Sequence, residues 1–153
     1  MPFTNDLATL REGSRSLRAW GGTSFHDSTV LALHYLHGLE GKTALVLVSD
    51  GVEESSSISF EDVLEYTERT GTSVYTLGLG LPRPPMPGAA EARAKLEALA
   101  AKTGGTFFQV KSTKDLTKVH RQIEADLRSQ YLLGYESTAG AENRDRCSTV
   151  LSS

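Results

Sequence analysis

The chain is almost devoid of cysteine. Cys147 stands alone among 153 residues, so neither an internal disulfide nor a thiolate-rich zinc site can form. Long apolar runs are also missing. The longest, Ala44 to Val48, falls far short of the ~20 residues that a spanning helix needs, so no membrane insertion is expected. A basic excess is absent too: 16 Lys and Arg against 19 Asp and Glu leave a net charge of −3. Nucleic-acid binders carry basic stripes to neutralise phosphates, and none is expected to partner this chain. Residues 1–6, MPFTND, hold neither a basic patch nor an apolar run and do not read as a signal peptide, which leaves the compartment open. What is present, 39% apolar and 23% charged residues, is the composition of one ordinary globular core.

Periodicity divides the chain into alternating helices and short apolar strands. Asp6 to Arg18 places Leu7, Leu10 and Leu17 on one side of an opening helix, and Gly21-Gly22 breaks it. Ser24 and Asp27 are spaced as a capping box for a second helix running to about His37, with Phe25, Thr29, Leu33 and Leu36 on one face. Thr43 to Val48 is a β-branched run of the kind buried on both faces in a parallel sheet. It ends in Ser49-Asp50-Gly51 and an acidic, serine-rich loop. Ser59 with Asp62, and Ser112 with Asp115, form two further capping boxes ahead of helices. Ser73–Leu79, Thr106–Val110 and the short Tyr131–Tyr135 read as strands, and a helix carrying Ala92, Leu96, Leu99 and Ala100 stops at Gly104-Gly105. Residues 80–88, GLPRPPMPG, form a stiff surface loop because proline cannot continue a helix or a central strand. From residue 136 onward the chain is polar and aperiodic, and is expected to be disordered. Strands alternating with helices of this length predict right-handed crossovers and an α/β, three-layer, mostly parallel sheet.

Binding sites in such folds lie at the carboxyl ends of strands, which directs attention to Asp50. A carboxylate there can bind a hard cation, act as a base, or simply cap a turn. Thr23 follows two glycines and presents a hydroxyl at a helix start, where it can serve a ligand or cap the helix. His26, His34 and His37 fall near one helical face, but no carboxylate accompanies them in a zincin pattern, so they read as surface histidines. Glu53 and Glu54 read as solvated loop residues. Ser24, His26 and Asp50 invite a hydrolase reading, yet there is no nucleophile elbow, and Gly78-Leu79-Gly80 leads into prolines rather than a phosphate-binding helix. Cys147 reads as an unpaired thiol.

The order Gly21-Gly22-Thr23-Ser24, a helix, then Leu45-Val46-Leu47-Val48-Ser49-Asp50-Gly51 resembles the second half of a von Willebrand factor type A (VWFA) domain. The likeness continues through Val74–Leu79 and Leu99–Phe108. The ending Leu127–Tyr135, LRSQYLLGY, is similar to that of VWFA-related domains common in Acidobacteria. The resemblance implies a Rossmann-like fold over residues 1–135, followed by the polar tail 136–153. It also implies a bacterial, non-enzymatic protein-binding module with a metal-ion-dependent adhesion site. In that family a Mg²⁺-type ion is held by an Asp-x-Ser-x-Ser loop, a threonine and a later aspartate, and an acidic side chain of a partner protein completes the shell. The threonine corresponds to Thr23 and the aspartate to Asp50, with Ser24 and Asp27 as accessory neighbours.

No Asp-x-Ser-x-Ser occurs in this sequence. Relative to the family pattern the first strand and the following hairpin are not represented, so the expectation is an N-terminally truncated domain with an incomplete site and weak Mg²⁺ binding. The edge of the Thr43–Val48 strand is then exposed and open to self-association. The alternatives are a small α/β hydrolase or nucleotide-binding domain using Asp50, and an inactive remnant.

Overall fold

The computed structural model describes residues 3–18, 21–39, 41–82 and 85–129. Eight elements follow in chain order: α1 (Leu7–Ser16), α2 (Phe25–Leu36), β1 (Ala44–Ser49), α3 (Phe60–Thr70), β2 (Ser73–Leu79), α4 (Ala89–Lys102), β3 (Phe107–Val110) and α5 (Thr113–Ser129). Each of these boundaries lies within a few residues of the one that periodicity predicts. The strands form one parallel sheet in the order β1-β2-β3, with Ala44 opposite Ser73 and Thr76 opposite Phe107. This is the expected α/β architecture, a parallel sheet flanked by helices, and it is consistent with a Rossmann-like VWFA fold. The expected strand at 131–135, the tail at 136–153 and Cys147 lie outside the described residues.

Alternation along the strands gives each face its own core. Leu45, Leu47, Val74 and Phe107 point to one side, where they meet Phe25 and Leu33 of α2, Val63 of α3, and Leu96 and Leu99 of α4. Ala44, Tyr75, Leu77, Phe108 and Val110 point to the other, where Val119, Ile123 and Leu127 of α5 cover them. The two sides are unequal. α5 packs against β3 and leaves the β1 end of its face open, so Val46 and Val48 are 47% and 56% exposed. The reading of β1 as buried on both faces is thereby corrected. Among the described residues it is an edge strand with one covered face and one open face.

Helix ends follow local chemistry where the sequence supplies it. The Asp6 carboxylate accepts the N–H groups of Ala8 and Thr9 and starts α1, although no residue of that helix is buried. The Ser59 hydroxyl accepts the Asp62 N–H and so caps α3 as predicted, and Gly71 ends that helix in the left-handed conformation. At α5 the Asp115 half of the predicted box is present, its carboxylate accepting the N–H groups of Lys111 and Ser112. Among the described residues no helix is long and apolar enough to cross a membrane.

α4 is held close to β2 by backbone approach. The Thr76 hydroxyl donates to the Leu96 carbonyl at 2.9 Å, and the Val74 N–H donates to the Thr103 hydroxyl at 2.9 Å. Gly105 lies so near β2 that a Cβ there would stand 2.0 Å from the Val74 carbonyl oxygen, with no flexible side chain to yield. Gly105→Ala should therefore lower the free energy of unfolding by about 2–4 kcal/mol, through strain and lost packing. Urea denaturation checks this, and a loss below ~1 kcal/mol would contradict the close approach.

Candidate functional site

Two loops meet at the carboxyl end of β1: Gly21–Ser24, which leads into α2, and Asp50–Ile58, which leads into α3. The Asp50 side chain accepts the Val52 N–H at 3.0 Å, closing a turn on its own backbone, and the Ser49 hydroxyl accepts the Gly51 N–H. Gly51 is required here. Its φ is +75°, and a Cβ would sit 2.3 Å from the Ala92 carbonyl oxygen of α4. The turn that presents Asp50 is thus wedged against the first half of α4.

Beyond the turn, three carboxylates hold the loops together. Glu53 accepts the His26 N–H at 3.0 Å through one oxygen, and the N–H groups of Ser55 and Ser56 at 2.8 and 2.6 Å through the other. The Ser56 hydroxyl donates to Glu53 at 2.8 Å while accepting the N–H groups of His26 and Asp27. Glu54 accepts the Thr23 N–H at 2.9 Å, and the Thr23 carbonyl accepts the N–H groups of Glu54 and Ser55. Asp27 reaches outward and accepts the N–H groups of Ser57 and Ile58. The free amides at the start of α2 are therefore satisfied by the distant loop, and Glu53 places negative charge at the positive end of the helix.

These contacts correct several sequence readings. Ser24 is the N-cap residue of α2 but makes no side-chain cap; its hydroxyl lies 2.9 Å from that of Ser55. Asp27 does not close a box with Ser24, because both its oxygens are taken by the 57–58 amides. Glu53 and Glu54 are bound into the structure rather than solvated. His26 is no surface histidine: it is only 6% exposed, packed between the Phe25 and Phe60 rings, with Nδ1 donating to the Ile58 carbonyl at 2.9 Å. Its Nε2 is buried without a protein partner. His34 and His37 are exposed, as read. Ser24, His26 and Asp50 each bond elsewhere and form no relay among the hydrogen bonds described here.

Thr23 and Asp50 occupy the two adjoining loops, and the structure describes no contact between them. Thr23 is exposed, and Asp50 is half-buried. Two donors fall well short of the roughly six oxygens that Mg²⁺ prefers, and the neighbouring carboxylates are engaged by amides. Among the described residues no group of three or more His, Cys, Asp or Glu is placed to hold a metal. The residues present do not fit a self-sufficient Mg²⁺ centre. Beside the loops lies a cleft of about 140 Å³, bordered by Gly51, Glu53, Pro82, Pro87, Glu91 and Lys95. It is smaller than the ~300–1,000 Å³ typical of small-molecule sites.

No protein-family model matches the chain, and no curated protein sequence matches it either. Solved structures do. An aerotolerance-related membrane protein from Bacteroides fragilis, carrying multiple mutations to serine, aligns with a TM-score of 0.60 at 19% identity, over 80% of this chain and 70% of that one. The conserved hypothetical protein BatB from Bacteroides thetaiotaomicron aligns with a TM-score of 0.59 at 17% identity, over 82% and 71%. At these identities the likeness shows the fold, and that shared fold is VWFA-like.

Burial pushes the Glu53 pKa up, but the hydrogen bonds outweigh it. The His26 N–H, then the Ser56 N–H and hydroxyl, then the Ser55 N–H hold the carboxyl at about 2, against an ordinary 4.5. A depressed carboxyl stabilises the fold fully above its unfolded pKa of 4.5, and that stability is lost as pH falls toward 2. Glu53→Gln turns an amide NH₂ toward N–H donors, so it should cost about 2–3 kcal/mol at pH 7. It should also flatten the stability loss between pH 4.5 and 2. Chemical denaturation across that range tests both; an unchanged acid slope would remove Glu53 as its source.

Proposed function

We propose that the chain is a non-enzymatic protein-binding module of VWFA type that meets its partner through the paired loops at the carboxyl end of β1. The supporting observation is the loop 50–58, exposed at Glu54, Ser55 and Ser57 and held to Thr23 and the start of α2 by Glu54, Glu53 and Asp27 before any partner arrives. A loop ordered in advance gives up little entropy on binding. The shallow cleft and the absence of a relay among Ser24, His26 and Asp50 favour a surface contact over a substrate pocket.

In this reading Thr23 and Asp50 are two donors of an incomplete adhesion site, with Ser24 and Asp27 holding the loops rather than an ion. The contact with an acidic side chain of the partner depends on the cation, because Asp50 would otherwise repel a carboxylate. Placement in the bacterial subgroup seen in Acidobacteria rests on LRSQYLLGY, most of which lies outside the described residues.

Calorimetric titration with Mg²⁺ should show binding weaker than about 1 mM. Micromolar binding that vanishes in Asp50→Ala would overturn the incomplete-site reading. Turnover of an activated ester or a nucleotide that is lost in the same variant would overturn the non-enzymatic one.

A further inference from the structure

The outward side of α5 carries a row of cations, most of them without a carboxylate partner. At 3.6 residues per turn, Lys114, Lys118, Arg121 and Arg128 fall within an arc of about 80°. That arc lies opposite Val119, Ile123 and Leu127, which pack against the sheet, and all four cations are exposed. The carboxylates of the helix are occupied elsewhere. Asp115 turns back onto the Lys111 and Ser112 amides, Glu124 is held by Arg128, and Asp126 is half-buried toward the sheet. In α3 and α4 every Lys and Arg has a carboxylate partner. Among the described residues Lys114, Lys118 and Arg121 have none. The arrangement works against the helix itself. Lys114 sits in the first turn, where a cation opposes the dipole, and Lys118 has a like charge four residues before it and another three residues after.

We propose that this row is a docking stripe for an acidic helix of a protein partner, one whose carboxylates repeat at the four-and-three spacing of the cations. Charges on such a helix share the 3.6-residue period, so a helix laid along α5 can meet Lys114, Lys118 and Arg121 in turn. Other polyanions match less well. The arc holds no large apolar side chain to enter a bilayer interface, only Ala125, and no aromatic ring on which a base could stack. The protein class of the partner rests on the binding-module reading above; the unpaired stripe does not.

The probe is an alanine-based helical peptide with three Glu spaced four and three residues apart. Its control has the same composition with the Glu residues spread round the helix. Both are titrated into the full chain in chelator and followed through the NMR signals of the α5 amides. The matched peptide should shift α5 and bind about fivefold tighter than its control. Its affinity should fall about tenfold as ionic strength rises from about 20 to about 150 mM. Lys118→Glu with Arg121→Glu, both at exposed positions, should keep the circular dichroism and lower the affinity about tenfold or more. A peptide with Lys in place of Glu should then bind the double variant instead.

Absence of binding at low salt overturns the proposal, as does equal binding of matched and control peptides. So does affinity indifferent to the double reversal. Tighter binding to phosphatidylserine vesicles or to a DNA duplex, lost in the same variant, would assign the stripe to a bilayer or a nucleic acid and overturns it too. Because the titration excludes metal and reads α5, its failure leaves the loop reading standing, and failure of Mg²⁺ binding at Asp50 leaves the stripe standing.

Discussion

The geometry of the candidate site depends on a single carboxylate. Glu53 gathers four hydrogen bonds, three from Ser55 and Ser56 of its own loop and one from His26 at the start of α2, and removing it would leave the 55–56 turn without its acceptor and the His26 amide with Ser56 alone. The charge at that position is doubly favourable: it completes amides that no intrahelical carbonyl can reach, and it sits at the positive end of the α2 dipole. Ser56 extends the arrangement, donating to Glu53 and accepting from His26 and Asp27. Asp27 then returns the favour to the loop at Ser57 and Ile58. Each loop is ordered by the other, and neither has a core of its own.

The sheet beneath is asymmetric in a way that separates support from exposure. Three helices cover one face, and their side chains lock β1 and β2 from below the loops. On the other face the cluster under α5 takes in β3, β2 and Ala44 at the start of β1, but leaves Val46 and Val48 exposed. The strand that delivers Asp50 to the site is therefore covered on one side and open over its second half on the other. Likeness to the two Bacteroides structures extends over most of this architecture, while the open edge is a property of the described residues themselves.

Much of the fold was legible because its signals are local. The apolar run at 44–48 and the helical spacing of Val63 and Thr67 or of Leu96 and Leu99 each specify an element from a short window of sequence. The Ser59–Asp62 cap was readable for the same reason. The site was not, because its contacts cross the chain. Nothing near Glu53 in sequence says that its acceptor oxygens will face the amide of His26, 27 residues away. The Ser24–Asp27 spacing suggested a closed local cap, yet a stronger competitor arrived from the loop after β1 and took both roles. The two-face burial of β1 was misjudged since composition reports hydrophobicity, and only topology reports whether a helix lies above it.

The borrowed cap on α2 has a consequence for how the molecule assembles. Its first turn takes its acceptors from residues 27 and 30 positions further along, so a nascent chain ending before Ser56 carries a helix with a frayed start. Only when β1 has docked and the loop has come round does that turn become fixed. The start of α2 and the 53–58 loop are thus ordered together, and local opening of the loop releases the start of α2 with it.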